Sequence, residues 1–359
     1  MKFSWIFFLT FFISVGCAKL GYLTEQGIGQ MKLQWRGERN EEVLNNPKIS
    51  SEVKRKILLV EEYKKFFYYY FGQKASTIYT KTTMLDSKAV TYLVIASPHT
   101  EMKAYEFEFP FMGSFPYLGF FNLDSAKSFA KDLQEEQDLV TWIRPVYAYS
   151  TLGYLEDRIL SSFFEYDDVE LAELVFHELF HTVFFIKDDV ELNENLANLY
   201  GEEMLKEYFK DRGELKDYLV TQEKKNILDK RAVELIGILQ AEFAKLGGFI
   251  TAKKADELTS RFLNEVFRPD LKEMCHKIQL VESECEFKDE WNQATFAAFL
   301  TYEEEQDFLN DLMKTKAMNL KDFLSWLKKE YKNFTPDKKV TSFTEHLKTK
   351  VANAPVAVD

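Results

Sequence analysis

Val175-Phe176-His177-Glu178-Leu179-Phe180-His181-Thr182-Val183 holds an H-E-x-x-H spacing inside an apolar, proline-free run. On a helix, residues four apart share a face, so His177 and His181 present two imidazoles to one point. Glu178 lies one residue round, where its carboxylate reaches water beside the ion rather than the ion itself. These residue types at this spacing point to a zinc hydrolase, in which imidazoles hold the metal and a carboxylate handles the proton. The apolar flanks agree, because a buried, charged glutamate with no such task is costly. Two of the chain's 5 histidines fall at this spacing, which argues against coincidence.

A catalytic zinc site needs three protein ligands and an open position. Downstream, Lys187-Asp188-Asp189 makes a polar break, and Leu192 to Tyr200 has the pattern of a second helix, with Asn193 as its expected start. A helix, a short turn and a returning helix bring Glu194 to the histidine face, so Glu194 is the expected third ligand. Asp189 is its rival; from the turn it is better placed to cap the helix or orient a histidine. Asp188 and Glu191 are expected to be solvated.

The run from His177 to Ala197 resembles a bacterial family of predicted aminopeptidases, lipoproteins with H-E-x-x-H, a short spacer ending in G-D-T, and then F-N-E-x-F-A. Asp189, Asn193, Glu194 and Ala197 fall on the family's positions without a gap. Ala148 to Tyr154 is similar to its A-Y-S-T-L-G-W block, and Phe115 to Phe121 to its Y-R-G-Y-F block. Cys17-Ala18-Lys19-Leu20-Gly21-Tyr22, followed by Gly29-Gln30, is similar to its lipoprotein start. Asp188 stands for a glycine, Val190 for a threonine, Leu118 for an arginine and Tyr154 for a tryptophan. The loss of that arginine bears on a substrate contact, not on the ligands. The resemblance covers most of the chain from Cys17, is weakest after about Glu203, and implies a zinc peptidase.

The N-terminus supplies a compartment. Met1-Lys2, an apolar run from Phe3 to Val15, and Gly16-Cys17 have the form of a secretory signal, too short to span a membrane comfortably. Ser14-Val15-Gly16-Cys17 resembles a lipobox, so residues 1–16 are expected to be removed and Cys17 to carry lipid. Ala18 is not aspartate, which places the expected product at the periplasmic face of the outer membrane, in the bacterial cell envelope. There Cys275 and Cys285 are expected to form a disulfide. A net charge of -12 and the lack of a basic cluster with interleaved aromatics argue against a nucleic-acid partner.

With 359 residues and 46% hydrophobic content, the chain can bury a large core. Few glycines or prolines divide it, so residues 17–359 are expected to form one peptidase domain: helical over 17–76, a sheet region over 77–150, and helical with the metal site over 151–359. The clearest early helix is Lys48 to Phe71. Thr77–Met84, Ala89–Ala96 and Met102–Phe109 have strand patterns, the first two joined by a hairpin at Asp86-Ser87-Lys88. Asp124 to Glu136 is helical. Leu139 to Tyr149 follows as a strand, held to a sheet edge by Pro145 and placed beside the zinc helix, where an extended substrate could pair with it. Asp168–Ile186, Leu192–Lys224, Ile227–Leu246, Ala252–Phe267, Lys288–Met313 and Leu320–Lys332 are expected as helices, with a frayed tail from Thr335. The expected class is α+β, predominantly helical and zincin-like, with a small mixed or antiparallel sheet beside the metal helix.

The expected chemistry is hydrolysis of a peptide, with zinc on His177, His181 and Glu194 and Glu178 as general base. Tyr149 is the first candidate for a second oxyanion donor, followed by Tyr200 and Tyr154. Glu156 and Asp157 are candidate carboxylates for a substrate's free amine. Two alternatives stay open: a zinc endopeptidase of envelope substrates, and a non-catalytic lipoprotein with a structural metal site closed by Asp189.

Overall fold

The computed structural model describes residues 21–109, 113–148, 157–187, 189–210, 212–247, 250–281, 285, 291–303, 306–336 and 340–352. Among these residues it is a predominantly helical α+β architecture with three small sheets. Helix α1 covers residues 21–35, and α2 spans Asn40–Asn45. In α3 (Ser51–Tyr70) the Ser50 hydroxyl accepts from the Val53 amide, and Ile57, Val60, Tyr63 and Phe67 make one buried stripe. That stripe packs on α5 (Asp168–Phe180), which in turn packs on α6 (Val190–Phe209). Asp167 and Glu170 form a reciprocal capping box at the start of α5. These three helices make the heart of the largest core, with Phe176, Phe180, Leu196 and Tyr200 fully buried.

The sheets differ in place from the sequence-based expectation. β1 (Glu38–Arg39) pairs antiparallel with β2 (Lys81–Thr83), and β2 pairs parallel with β8 (Ile159–Leu160). The eight-residue β3 (Thr91–Pro98) lies between β6 (Leu118–Phe120) and β7 (Leu139–Val146), antiparallel to both. β4 (Phe107–Phe109) and β5 (Gly113–Phe115) form a separate pair. The expected hairpin across Asp86-Ser87-Lys88 is therefore corrected: β2 and β3 sit in different sheets. The strand expected from Thr77 begins only at Lys81, because Tyr79 takes a left-handed φ of 57°.

β7 is at a sheet edge, as Pro145 requires. It packs on α4 (Leu123–Gln137) and α10 (Gln293–Glu303) rather than along the histidine helix, which corrects its expected role as a strand beside the zinc helix. Just past its end, the Ser162 hydroxyl donates to the Tyr147 carbonyl.

Several helix limits also move, each for a local reason. The helix expected over Asp168–Ile186 stops at Phe180, where the Thr182 hydroxyl and amide both bond back to the Leu179 carbonyl at 2.7 and 3.0 Å. The helix expected over Leu192–Lys224 ends at Phe209, and a 33-residue helix, α7 (Glu214–Leu246), starts after Gly213. α8 (Ala252–Phe262) continues through a π turn at Leu263–Phe267 into α9 (Arg268–Lys277), and Pro269, which has no amide donor, stands directly after that irregular turn. The helix expected from Lys288 begins at Gln293, capped by the Asn292 side chain on the Thr295 amide at 2.9 Å. α11 (Gln306–Thr315) and α12 (Leu320–Asn333) follow. The tail expected to fray instead forms α13 (Phe343–Ala352), whose Phe343 and Leu347 are buried in the main core.

α7 joins two cores. Leu215, near its start, belongs to the main one; Leu228 through Phe243 pack with α8, α9 and Phe296 in a second. Cys275 and Cys285 are bonded there, with their Cα atoms 6.2 Å apart. No helix among the described residues is long and apolar enough to cross a membrane.

Candidate metal centre

α5 and α6 run antiparallel, because successive residues of α6 meet receding residues of α5. Glu194 faces His177 and His181, while a Cβ on Gly201 would lie 3.2 Å from the Glu173 carbonyl and 3.4 Å from the His177 Cβ. The two helices thus pass close together beside His177, where a side chain on Gly201 would need its neighbours to give by a few tenths of an ångström. That approach sets the imidazoles against the carboxylate. His177 Nε2 is 3.3 Å from Glu194 Oε2, and His181 Nε2 is 3.5 Å from Glu194 Oε1. One atom from each of the three lies within 4.8 Å of the others, and the group can hold a metal ion. Among the described residues it is the one group of this kind.

The electrostatics pull the histidines apart. For His177, burial disfavours the charged ring, but the bond to Glu194, the charges of Glu178 and Glu194, and a bond to Asn198 outweigh it, so its pKa rises. His181, only 4% exposed, goes down to about 4, because burial overrides the pull of Glu194 and the His177 charge adds to it. Burial raises Glu194, yet the His177 bond and both imidazoles bring it below its ordinary value. His181 Nδ1 is buried and meets no hydrogen-bond partner among the described residues. Glu178 is 8% exposed, and its charge is felt by His177 and by the phenols of Tyr79 and Tyr166.

The turn between the helices is laced from within. Asn193 donates to the Ile186 and Asp189 carbonyls, both at 2.7 Å, and accepts from the Ile186 amide at 2.8 Å. Asn193 is thus a clamp on the turn rather than the helix start expected of it. The cap is Asp189, whose Oδ1 accepts from the Leu192 amide at 3.2 Å and whose Oδ2 accepts from the Thr344 hydroxyl at 2.9 Å. Asp189 therefore ties α13 to the start of α6.

Other candidates scatter. Tyr200 is no oxyanion donor here: it lies in the core, its ring centroid 4.3 Å from that of Phe180 and its hydroxyl on the Leu320 carbonyl. Asp157 is buried, and its carbonyl accepts from the Tyr79 amide at 2.7 Å. Leu118, where the family resemblance has an arginine, is buried under α4. Tyr149, Tyr154, Glu156, Asp188 and Cys17 lie outside the described residues.

Three partners of the centre went unread in the sequence. Asn198 acts on His177 and sits four residues after Glu194, so helical spacing alone could have found it. Glu173 lies four residues before His177 and accepts from the Tyr218 hydroxyl of α7; burial lifts its carboxyl above the usual range against that bond. Thr182 bonds the Tyr68 hydroxyl of α3 at 2.8 Å, a contact no local pattern announces.

The family model described as putative aminopeptidase matches residues 21–341. The chain belongs to this family. The matched span begins at α1 and takes in all three candidate donors and Glu178. Neither the curated proteins nor the solved structures contain a match.

Proposed function

We propose that the protein is a zinc-dependent aminopeptidase of the bacterial cell envelope, zincin-like in its catalytic helices and anchored by lipid on Cys17. The observation that carries this reading is the convergence of His177, His181 and Glu194, donated by two helices of a family described as aminopeptidases. Two imidazole nitrogens and one carboxylate suit zinc, and three protein ligands leave it a free position. When bound there, zinc supplies Lewis acidity, which makes water nucleophilic near neutral pH.

The chain's own groups do the rest. Glu178 sits between the two histidines in sequence, largely shielded from solvent, where a carboxylate takes the proton of the attacking water and returns one to the leaving amine. Asn198 lies beside His177 and favours its charged form, a position from which its amide would orient the ring. The Asn193 clamp and the Asp189 cap hold the start of α6, and with it Glu194, against α5. Tyr149 is proposed on sequence grounds as the further donor to the oxyanion.

Metal analysis and peptide turnover of the chain from residue 17, beside its Glu178→Gln form, test the proposal. One bound zinc and hydrolysis lost only in the variant are expected. Turnover of N-terminally blocked peptides as fast as free ones would replace the aminopeptidase with an endopeptidase. A metal-free wild type, or equal turnover by both forms, overturns the zinc mechanism. Fatty-acid labelling of wild type and Cys17→Ser tests the anchor by itself.

A further inference from the structure

Helix α1 has two unlike faces. The inner face is docked on the body. The Tyr22 and Phe120 rings meet edge to face at 5.2 Å, Leu33 is buried, and a Cβ on Gly29 would lie 2.1 Å from the Phe121 ring. Its end is pinned by two Arg36 bonds to Asp86, both 2.6 Å. The outer face carries Ile28, Met31 and Trp35, which are 50%, 48% and 77% exposed. On a helix these three fall within about 60° of one another, opposite Tyr22, Gly29 and Leu33. Leu23, also exposed, lies at the flank. A sequence that merely needed a docked helix would place polar residues on that outer stripe.

We propose that this outer face is a membrane-docking surface, which lays α1 in the boundary between lipid headgroups and acyl chains. Given the Cys17 anchor proposed above, the place of the helix in the chain chooses the occupant. Four residue steps separate Cys17 from residue 21, a reach of about 14 Å at full extension. An acylated Cys17 therefore holds the start of α1 at the bilayer, and the helix itself is only about 22 Å long. Within that reach the apolar stripe meets lipid before any other partner. Trp35 at the far end suits the interface, where an indole buries its ring and keeps its N–H wet. A helix that buries an apolar stripe beside the anchor adds to the area held in the membrane and fixes how the body lies on it.

The test uses the chain from residue 17 onward with Cys17→Ser, so that no acyl chain contributes. It is mixed with vesicles of phosphatidylethanolamine and phosphatidylglycerol and separated by flotation. The chain should float, and the Ile28→Ser/Met31→Ser/Trp35→Ser form should lose binding by on the order of tenfold or more. Tyr69→Ser, which alters an exposed aromatic on α3, should leave flotation unchanged. Lipids brominated high in the acyl chains should quench indole fluorescence in the parent and less so in Trp35→Phe. Three outcomes overturn the proposal: a parent that stays in solution, a triple variant that floats equally, or a parent that forms dimers through this face and ignores the vesicles. Fatty-acid labelling of the wild type reports the anchor alone, so failure of the anchor and failure of the docking face are separate results.

Discussion

The two ends of α5 use similar materials for opposite purposes. At its start, the Asp168 carboxylate faces Arg55, which bonds it at 2.6 and 2.9 Å, and Lys56, which bonds it at 2.8 Å. The Lys56 ammonium also donates to the Tyr166 carbonyl at 2.6 Å. Arg55 above all, then Lys56, hold the Asp168 carboxyl down to about 2, and a guanidinium or an ammonium has no lone pair to give. At its end, Glu194 faces His177 and His181, which are driven in opposite directions. A neutral imidazole has a lone pair to offer an ion, and a guanidinium does not. The first end is a closed ion cluster that fastens α5 to α3; the second is a donor set. An acid ringed by nitrogens says little until the nitrogens are identified.

That contrast can be broken most sharply at the donor end. His177→Ala should lose metal, peptide hydrolysis and some thermal stability together, as read by metal analysis, turnover and melting. Glu194→Ala should strip or weaken the metal, and Asp189→Ala should weaken it less. Full metal in Glu194→Ala beside a loss in Asp189→Ala would reverse the assignment. Glu178→Gln should cut hydrolysis by on the order of a hundredfold or more while metal content and melting stay near wild type.

At the closed end the effects are smaller and concern stability alone. Asp168→Asn should leave turnover unchanged and destabilise the fold by on the order of 1 kcal/mol, discounted because the Asp168 side chain is 43% exposed. The sign follows from a folded pKa of about 2 against an ordinary 3.8. The wild-type advantage is complete above 3.8 and disappears as pH falls through about 2. Denaturant melts at pH 7 and near pH 2 check this; an advantage that grew in acid would contradict it. The smallest effect is expected from Thr344→Val, which removes the bond from α13 to Asp189 and should cost about 1 kcal/mol or less with little change in metal.

The site was more legible in the sequence than its surroundings. His177, Glu178 and His181 sit on one helix, so a local period describes their relation, and Glu194 lies one short turn away. The long-range partners were not legible. Tyr218 reaches Glu173 across 45 residues, and Tyr68 reaches Thr182 across 114. The sheets failed for a related reason. β2 takes its partners from Glu38–Arg39 and Ile159–Leu160, strands of two residues that carry almost no period of their own. Alternation identifies a strand, but pairing depends on what the rest of the chain brings alongside. The helix ends moved because side chains such as Thr182 and Asn292 competed for backbone groups that an apolar stripe does not record. α13 was missed because a short helix owes its stability to the buried Phe343 and Leu347, not to its propensity.

The 33-residue α7 has a mechanical consequence. Tyr218, near one end, touches Glu173 one turn from His177, whereas Leu239 and Phe243, near the other, are fixed in the core that holds the disulfide. That core already grips the helix at Leu228, so about ten residues separate it from Tyr218, an arm of roughly 15 Å on which a tilt of about 4° moves the phenol by about 1 Å. The second core supplies none of the candidate donors, yet it holds one end of the helix whose other end meets the flank of the metal centre.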